Sequence, residues 1–103
     1  MLLYTVDCIP DKKYELLGMV QGSTVQSRHI GKDIMAGFRN IVGGEMKGYT
    51  EMLDSARAEA TQRMISRAET LDADAILGIK YATSAITQGA AEILAYGTAV
   101  KFI

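Results

Sequence analysis

The sequence predicts an α+β fold with its main elements in the order β-α-β-β, and three observations predict it. Roughly from Gly48 to Leu71, apolar residues recur every three or four positions, and neither Pro nor Gly interrupts the run. The composition then switches to strand type at Ala75-Ile76-Leu77, and two strand-like segments follow, joined by a short linker. Before the helix, Tyr14 to Gln26 is β-rich at both ends. At 103 residues the chain is long enough for one modest core, so a single domain spanning 1–103 is expected.

Taken in order, Leu2 to Val6 has the makings of a short strand that ends at a turn around Pro10-Asp11. Tyr14 to Gln26 reads as one long bent strand. Gly18 and Gly22 lie inside it, and strand glycines mark a bulge, a bend or the close approach of another backbone. Ile30, Ile34, Phe38 and Ile41 then share one face of a short helix, with Ser27 near its start and Gly43-Gly44 at its end. In the long helix the stripe consists of Tyr49, Leu53, Ala56, Ala60, Met64, Ala68 and Leu71. Its small central alanines suit close packing on a sheet. Glu59/Arg63 and Asp54/Arg57 are spaced to pair along the helix surface. The helix must stop near Asp72-Ala73-Asp74, and strands over 74–84 and 91–103 form an antiparallel hairpin around Ala85–Gly89.

The last strand bears most directly on assembly. Alternation puts Ala91, Ile93, Ala95, Gly97 and Ala99 on one face, and Leu94, Tyr96, Val100 and Phe102 on the other. The small side suits the long helix. The larger side needs a second cover, which the short helix supplies in part and a neighbouring subunit supplies more simply. A homo-oligomer is therefore expected.

Composition excludes several functions. Formal net charge is −1, with both signs interspersed, so the basic footprint of a nucleic-acid binder is missing. Cys8 is the one cysteine, which rules out an intramolecular disulfide and a paired-cysteine metal or redox site. No signal-like N-terminal stretch is present, and no apolar run approaches the ~20 residues that span a bilayer. A cytoplasmic location and no membrane partner are the expectation.

Five segments carry a family resemblance: Gly18–Gly22, Ile30–Ile34, Phe38–Gly44 followed by Tyr49, Ala68–Ile79 and Ala91–Val100. Together they span nearly the whole chain, which resembles the YbjQ-like family, uncharacterised protein family 0145, also described as a "putative heavy-metal-binding domain". The resemblance implies a dodecin-like β-α-β-β subunit, with the long helix on one face of an antiparallel sheet, assembled as a ring-shaped homopentamer. Asp72 departs from the family, which often has Gly at this helix end; Asp tolerates the left-handed conformation at some cost.

Candidate site residues are few. One His, one Cys and scattered carboxylates are a poor ligand inventory for a metal, and Met residues more often fill cores than bind copper. His29 has only Asp33 nearby as an orienting acid, and Gly43-Gly44 lacks the remaining residues of a phosphate-binding loop. Glu92 and Tyr96 share a face of the apolar last strand, while Arg28 and Arg39 flank the short helix. A carboxylate among apolar positions needs a partner. Glu92 paired with an arginine, across subunits or within one, is therefore the expected polar contact, and these four residues are where a ligand would bind. The leading expectation is a non-enzymatic homo-oligomeric scaffold or small-ligand binding protein. A soft heavy-metal or metalloid binder is the alternative and an enzyme the third reading; the residues identify no cofactor.

Overall fold

The structure, a computed structural model, describes residues 1–27, 47–87 and 90–103. It contains β1 (Leu2–Leu3), β2 (Tyr14–Ser27), α1 (Lys47–Thr70), β3 (Ala75–Thr87) and β4 (Ala90–Phe102). The expected short helix over Ile30–Ile41 and the Gly43-Gly44 turn lie outside the described residues.

The four strands make one sheet in the order β1-β3-β4-β2. β3 and β4 form the expected antiparallel hairpin, and β4 pairs antiparallel with β2 along nearly its whole length. The hairpin strands reach further than the sequence suggests. Ala85 lies opposite Ala91 and Thr87 opposite Ala90, so residues 85–87 belong to β3 rather than to a linker.

The sheet is mixed, which corrects the all-antiparallel expectation. β1 runs parallel to β3, with Leu2 opposite Ala75 and Leu3 opposite Ile76. The reason is the route of the chain. After β1 it does not turn back as a hairpin but crosses the sheet to start β2 at the far edge, and such a crossover permits a parallel neighbour. The crossing segment is held by backbone hydrogen bonds from Gly78 N to Val6 O (2.8 Å) and Ile79 N to Tyr4 O (3.0 Å). Asp11 takes a positive φ of 58° in its turn.

α1 lies over β2 and β4 and barely touches β3. Ala56, Ala60, Met64 and Ala68 are fully buried against Val20, Ile76, Ile79, Ile93, Ala95 and Ala99. This is the predicted stripe, meeting the small-residue side of the last strand. Leu71 departs from the stripe: it follows the end of α1 and stands exposed. A second, smaller core lies on the opposite face of the sheet. Ala75, Leu77 and Val100 are buried there beneath Tyr4, Ile9, Tyr14 and Phe102.

Both strand glycines have the roles that the sequence assigns them. Gly18 has φ 129° at the bulge between Leu16 and Gly18, where β2 bends. Gly22 is the close approach. A Cβ there would overlap Met64 N and Ala60 O, the two backbone atoms of one helical turn. At the other end of α1, Asp72 has φ 58° and closes a six-residue motif. Its N–H bonds to Glu69 O (3.0 Å), while Ala73 N–H reaches Ala68 O (3.2 Å).

Two stability predictions follow from these contacts. Gly22→Ala should cost about 1–3 kcal/mol in urea denaturation, since neither backbone can yield easily. Asp72→Ala should cost about 1 kcal/mol through its left-handed backbone, while Asp72→Gly should not. Equal losses for the two Asp72 variants would instead assign the effect to the lost carboxylate.

Candidate functional site

The candidate site is the part of the second sheet face that the N-terminal segment leaves open. Strand alternation and register define it. On β4, Tyr96 lies between Gln21 of β2 and Lys80 of β3; Leu94 lies between Ser23 and Ala82; Glu92 lies between Val25 and Ser84. The central strand residues are half-buried, whereas Met19 is 71% and Val25 53% exposed. Leu94 and Ala82 thus lie at the centre of this surface and Val25 and Met19 at its two ends, with Gln21, Ser23, Ser84, Lys80 and Glu92 interspersed.

Two of the four expected site residues are among those described, and they share this face as alternation requires. They do not form one cluster. Four residue steps along the strand put Glu92 about 13 Å from Tyr96, with Leu94 between them. Among the described residues Glu92 makes no ion pair. Arg28, Arg39 and His29 lie outside the described residues, so the expected carboxylate–arginine contact does too.

Elsewhere several charges are engaged with one another. Lys101 Nζ lies 3.2 Å from Asp72 Oδ2 and 3.6 Å from Asp74 Oδ1. The hydrogen bond to Asp72 is the main cause that raises the Lys101 pKa above its ordinary value, with the attraction of both carboxylates adding to it. Asp74 Oδ2 also accepts a hydrogen bond from Phe102 N at 2.7 Å. This cluster ties the last strand to the end of α1. On the helix, Glu59 pairs with Arg63 (2.6 Å) and Asp54 with Arg57, both at the expected spacing and both exposed. Arg63 also donates to Ser23 O at 2.5 Å.

The chemistry of a metal site does not fit the described residues of one protomer. Among them no three His, Cys, Asp or Glu side chains converge, and Cys8 is exposed and free. No described helix is long and apolar enough to cross a membrane.

A shallow open groove of about 270 Å³ runs beside the outer edge of β2, lined by Met19, Val20, Gln21, Arg67, Thr70 and Leu71. It is small for an enclosing ligand pocket. Sequence reasoning missed it, because Leu71 reads there as the end of a buried stripe. It also missed the N-terminal segment as a cover of the sheet. The available signal was Tyr4, Ile9 and Tyr14, apolar-bodied residues on both sides of a turn.

The comparisons with known proteins agree on kinship. The family model described as "Putative heavy-metal-binding" (YbjQ_1) matches residues 1–103. A UPF0145 protein of Helicobacter hepaticus is 58% identical over 103 residues, covering 100% of this chain and 99% of that protein. Another, from Alkaliphilus metalliredigens, is 53% identical with 100% of both chains covered. A crystal structure from Pediococcus pentosaceus, described as a protein of unknown function of the DUF74 family, shares the fold. Its TM-score is 0.74 at 20% identity, covering 100% of this chain and 98% of that one. With its full length matched by the family model and by relatives more than half identical, the chain belongs to the YbjQ-like family of UPF0145 proteins.

Proposed function

We propose that this protein is a homo-oligomeric scaffold or small-ligand binding protein, assembled as a pentameric ring and without catalytic chemistry of its own. The observation that carries the reading is the half of the second sheet face that no other described segment covers, where Met19 and Val25 stand exposed and Leu94 and Tyr96 half-buried. Large apolar side chains grouped on one sheet face mark an interaction surface, and the polar residues among them, Gln21, Ser23 and Glu92, suit a mixed contact between subunits. The distal half of β3 supports the same reading. From Lys80 to Ser84, where β3 pairs with β4 and no other described strand flanks it, its residues are exposed on both faces.

In this reading the ligand, where there is one, sits at the junction between subunits. Glu92 and Tyr96 line it from the sheet, and Arg28 and Arg39 supply the cationic partners. The heavy-metal reading has the family description behind it. It requires ligands gathered from several copies, since one protomer's described residues offer no cluster.

Native mass spectrometry of untagged protein, never exposed to chelator, tests this. A homopentamer at the bare polypeptide mass is expected. A monomer overturns the reading, and metal in fixed ratio to the ring replaces it with the metal one. Glu92→Ala should make the ring dissociate at higher protein concentration than the unmodified chain; unchanged assembly and unchanged ligand retention would remove Glu92 from the site.

A further inference from the structure

We infer that the groove between the outer edge of β2 and the last turn of α1 binds a small apolar carboxylate, its acid group on Arg67 and its apolar body on Met19 and Leu71. The site is separate from the subunit junction proposed above. Every lining residue belongs to one protomer, and Met19 stands at one end of the face proposed for that junction.

The charge of the groove is the first reason. Arg67 is its one ionic residue, set among Met19, Val20, Gln21, Thr70 and Leu71. The other two arginines of α1 are each held by a carboxylate one turn earlier, Arg57 by Asp54 and Arg63 by Glu59. Arg67 has no acid at that spacing: Arg63 and Met64 precede it, and Thr70 and Leu71 follow. It makes no ion pair among the described residues. A cation in the last turn of a helix is favourable in itself, so the charge alone assigns no ligand. Its form is more specific, because a guanidinium presents a planar fork that meets a carboxylate in two parallel hydrogen bonds.

The apolar lining is the second reason. Met19 and Leu71 are 71% and 43% exposed, one supplied by the strand and the other by the end of the helix. The Leu71 amide bonds to Ala68 O at 3.0 Å, which holds that residue in place where the chain leaves α1. The third reason is the balance of donors. Thr70 Oγ1 already donates its proton to Arg67 O at 2.6 Å, so the Gln21 amide is the side-chain donor that remains beside Arg67. Among the described residues β2 pairs only with β4, and the peptide groups along its outer edge add backbone donors on the same side.

Size sets the rest. A groove of about 270 Å³ lies below the roughly 300–1,000 Å³ that drug-sized molecules fill, so the ligand is a small acid of about ten non-hydrogen atoms. A simple anion would leave Met19 and Leu71 in water, and a neutral apolar molecule would leave the guanidinium without its partner.

Phenylacetate and its neutral amide, phenylacetamide, separate these cases. Both are titrated into the intact protein carrying labelled methionine methyl groups and followed by NMR. Met19 lines the groove, whereas Met64 is fully buried between α1 and the sheet. Phenylacetate should shift Met19 with a Kd of about 1 mM and leave Met64 unmoved. Phenylacetamide should bind about tenfold more weakly. Arg67→Gln should reduce the acid to the affinity of the amide, while Leu71→Ala should weaken both alike. Equal affinity of acid and amide for the unmodified protein overturns the inference without any variant, and so does a Met19 signal that millimolar acid leaves in place. An Arg67→Gln protein that binds the acid unchanged overturns it as well, as does a shift confined to other methionines. A monomeric protein that shows the expected Met19 shifts keeps the groove site and overturns the oligomeric reading alone.

Discussion

The rest of the structure depends on how closely α1 can lie on the sheet, and Gly22 sets that distance. Its Cα faces the Ala60 carbonyl and the Met64 amide, the two ends of a helical hydrogen bond, with no room for a side chain between them. Arg63 fixes the same point from outside by donating to Ser23 O while it is held by Glu59. With the separation set by backbone contact, small residues dominate the line of approach. Ala56, Ala60 and Ala68 on the helix and Ala95 and Ala99 on β4 are that constraint written in side chains, while Gly97 makes room for Ile76 and Ile79 of β3.

A thin first core has a consequence for the other face. Because strand residues alternate, small residues toward the helix leave the larger ones, Leu94, Tyr96, Val100 and Phe102, pointing away from it. The chain covers half of them itself. The segment between β1 and β2 crosses under Val100 and Phe102, and the Lys101 cluster with Asp72 and Asp74 holds that end of β4 to the helix terminus. Among the described residues that cover stops toward Glu92, so they close one end of the sheet face and not the other.

How much of this was legible in the sequence depends on the range of each contact. The helix, the bent strand and the hairpin announce themselves through local periodicity, and Gly18, Gly22 and Asp72 through conformations that few residues adopt. The parallel pairing of Leu2 with Ala75 was not legible, because two residues carry no pattern and their partner lies far along the chain. The crossing segment was missed for the same reason: Tyr4 and Ile9 have no periodicity, only a destination. For the site, alternation puts Glu92, Leu94 and Tyr96 on one face, and the same spacing sets Leu94 between the other two. Leu71 reads as stripe because helical period continues past the residue where the helix ends.

A sheet face left uncovered by the described residues can be met in two ways that differ in symmetry. An identical face covers it in a twofold dimer, whereas a different surface of the next subunit covers it in a ring. In a closed ring every residue recurs once per subunit around the axis, so the chemistry of the assembly is not the inventory of one chain. A single carboxylate or thiol per protomer becomes a circle of them if it lies near the axis. A metal held there would bind once per ring rather than once per chain. The ratio of bound ion to subunit therefore distinguishes an axial site from a site within the protomer. A whole number per chain would place the ligands within one subunit, where the described residues gather none, or at each junction between neighbours. A fraction equal to the reciprocal of the ring size would place them on the axis, and would make the assembly itself the binding site.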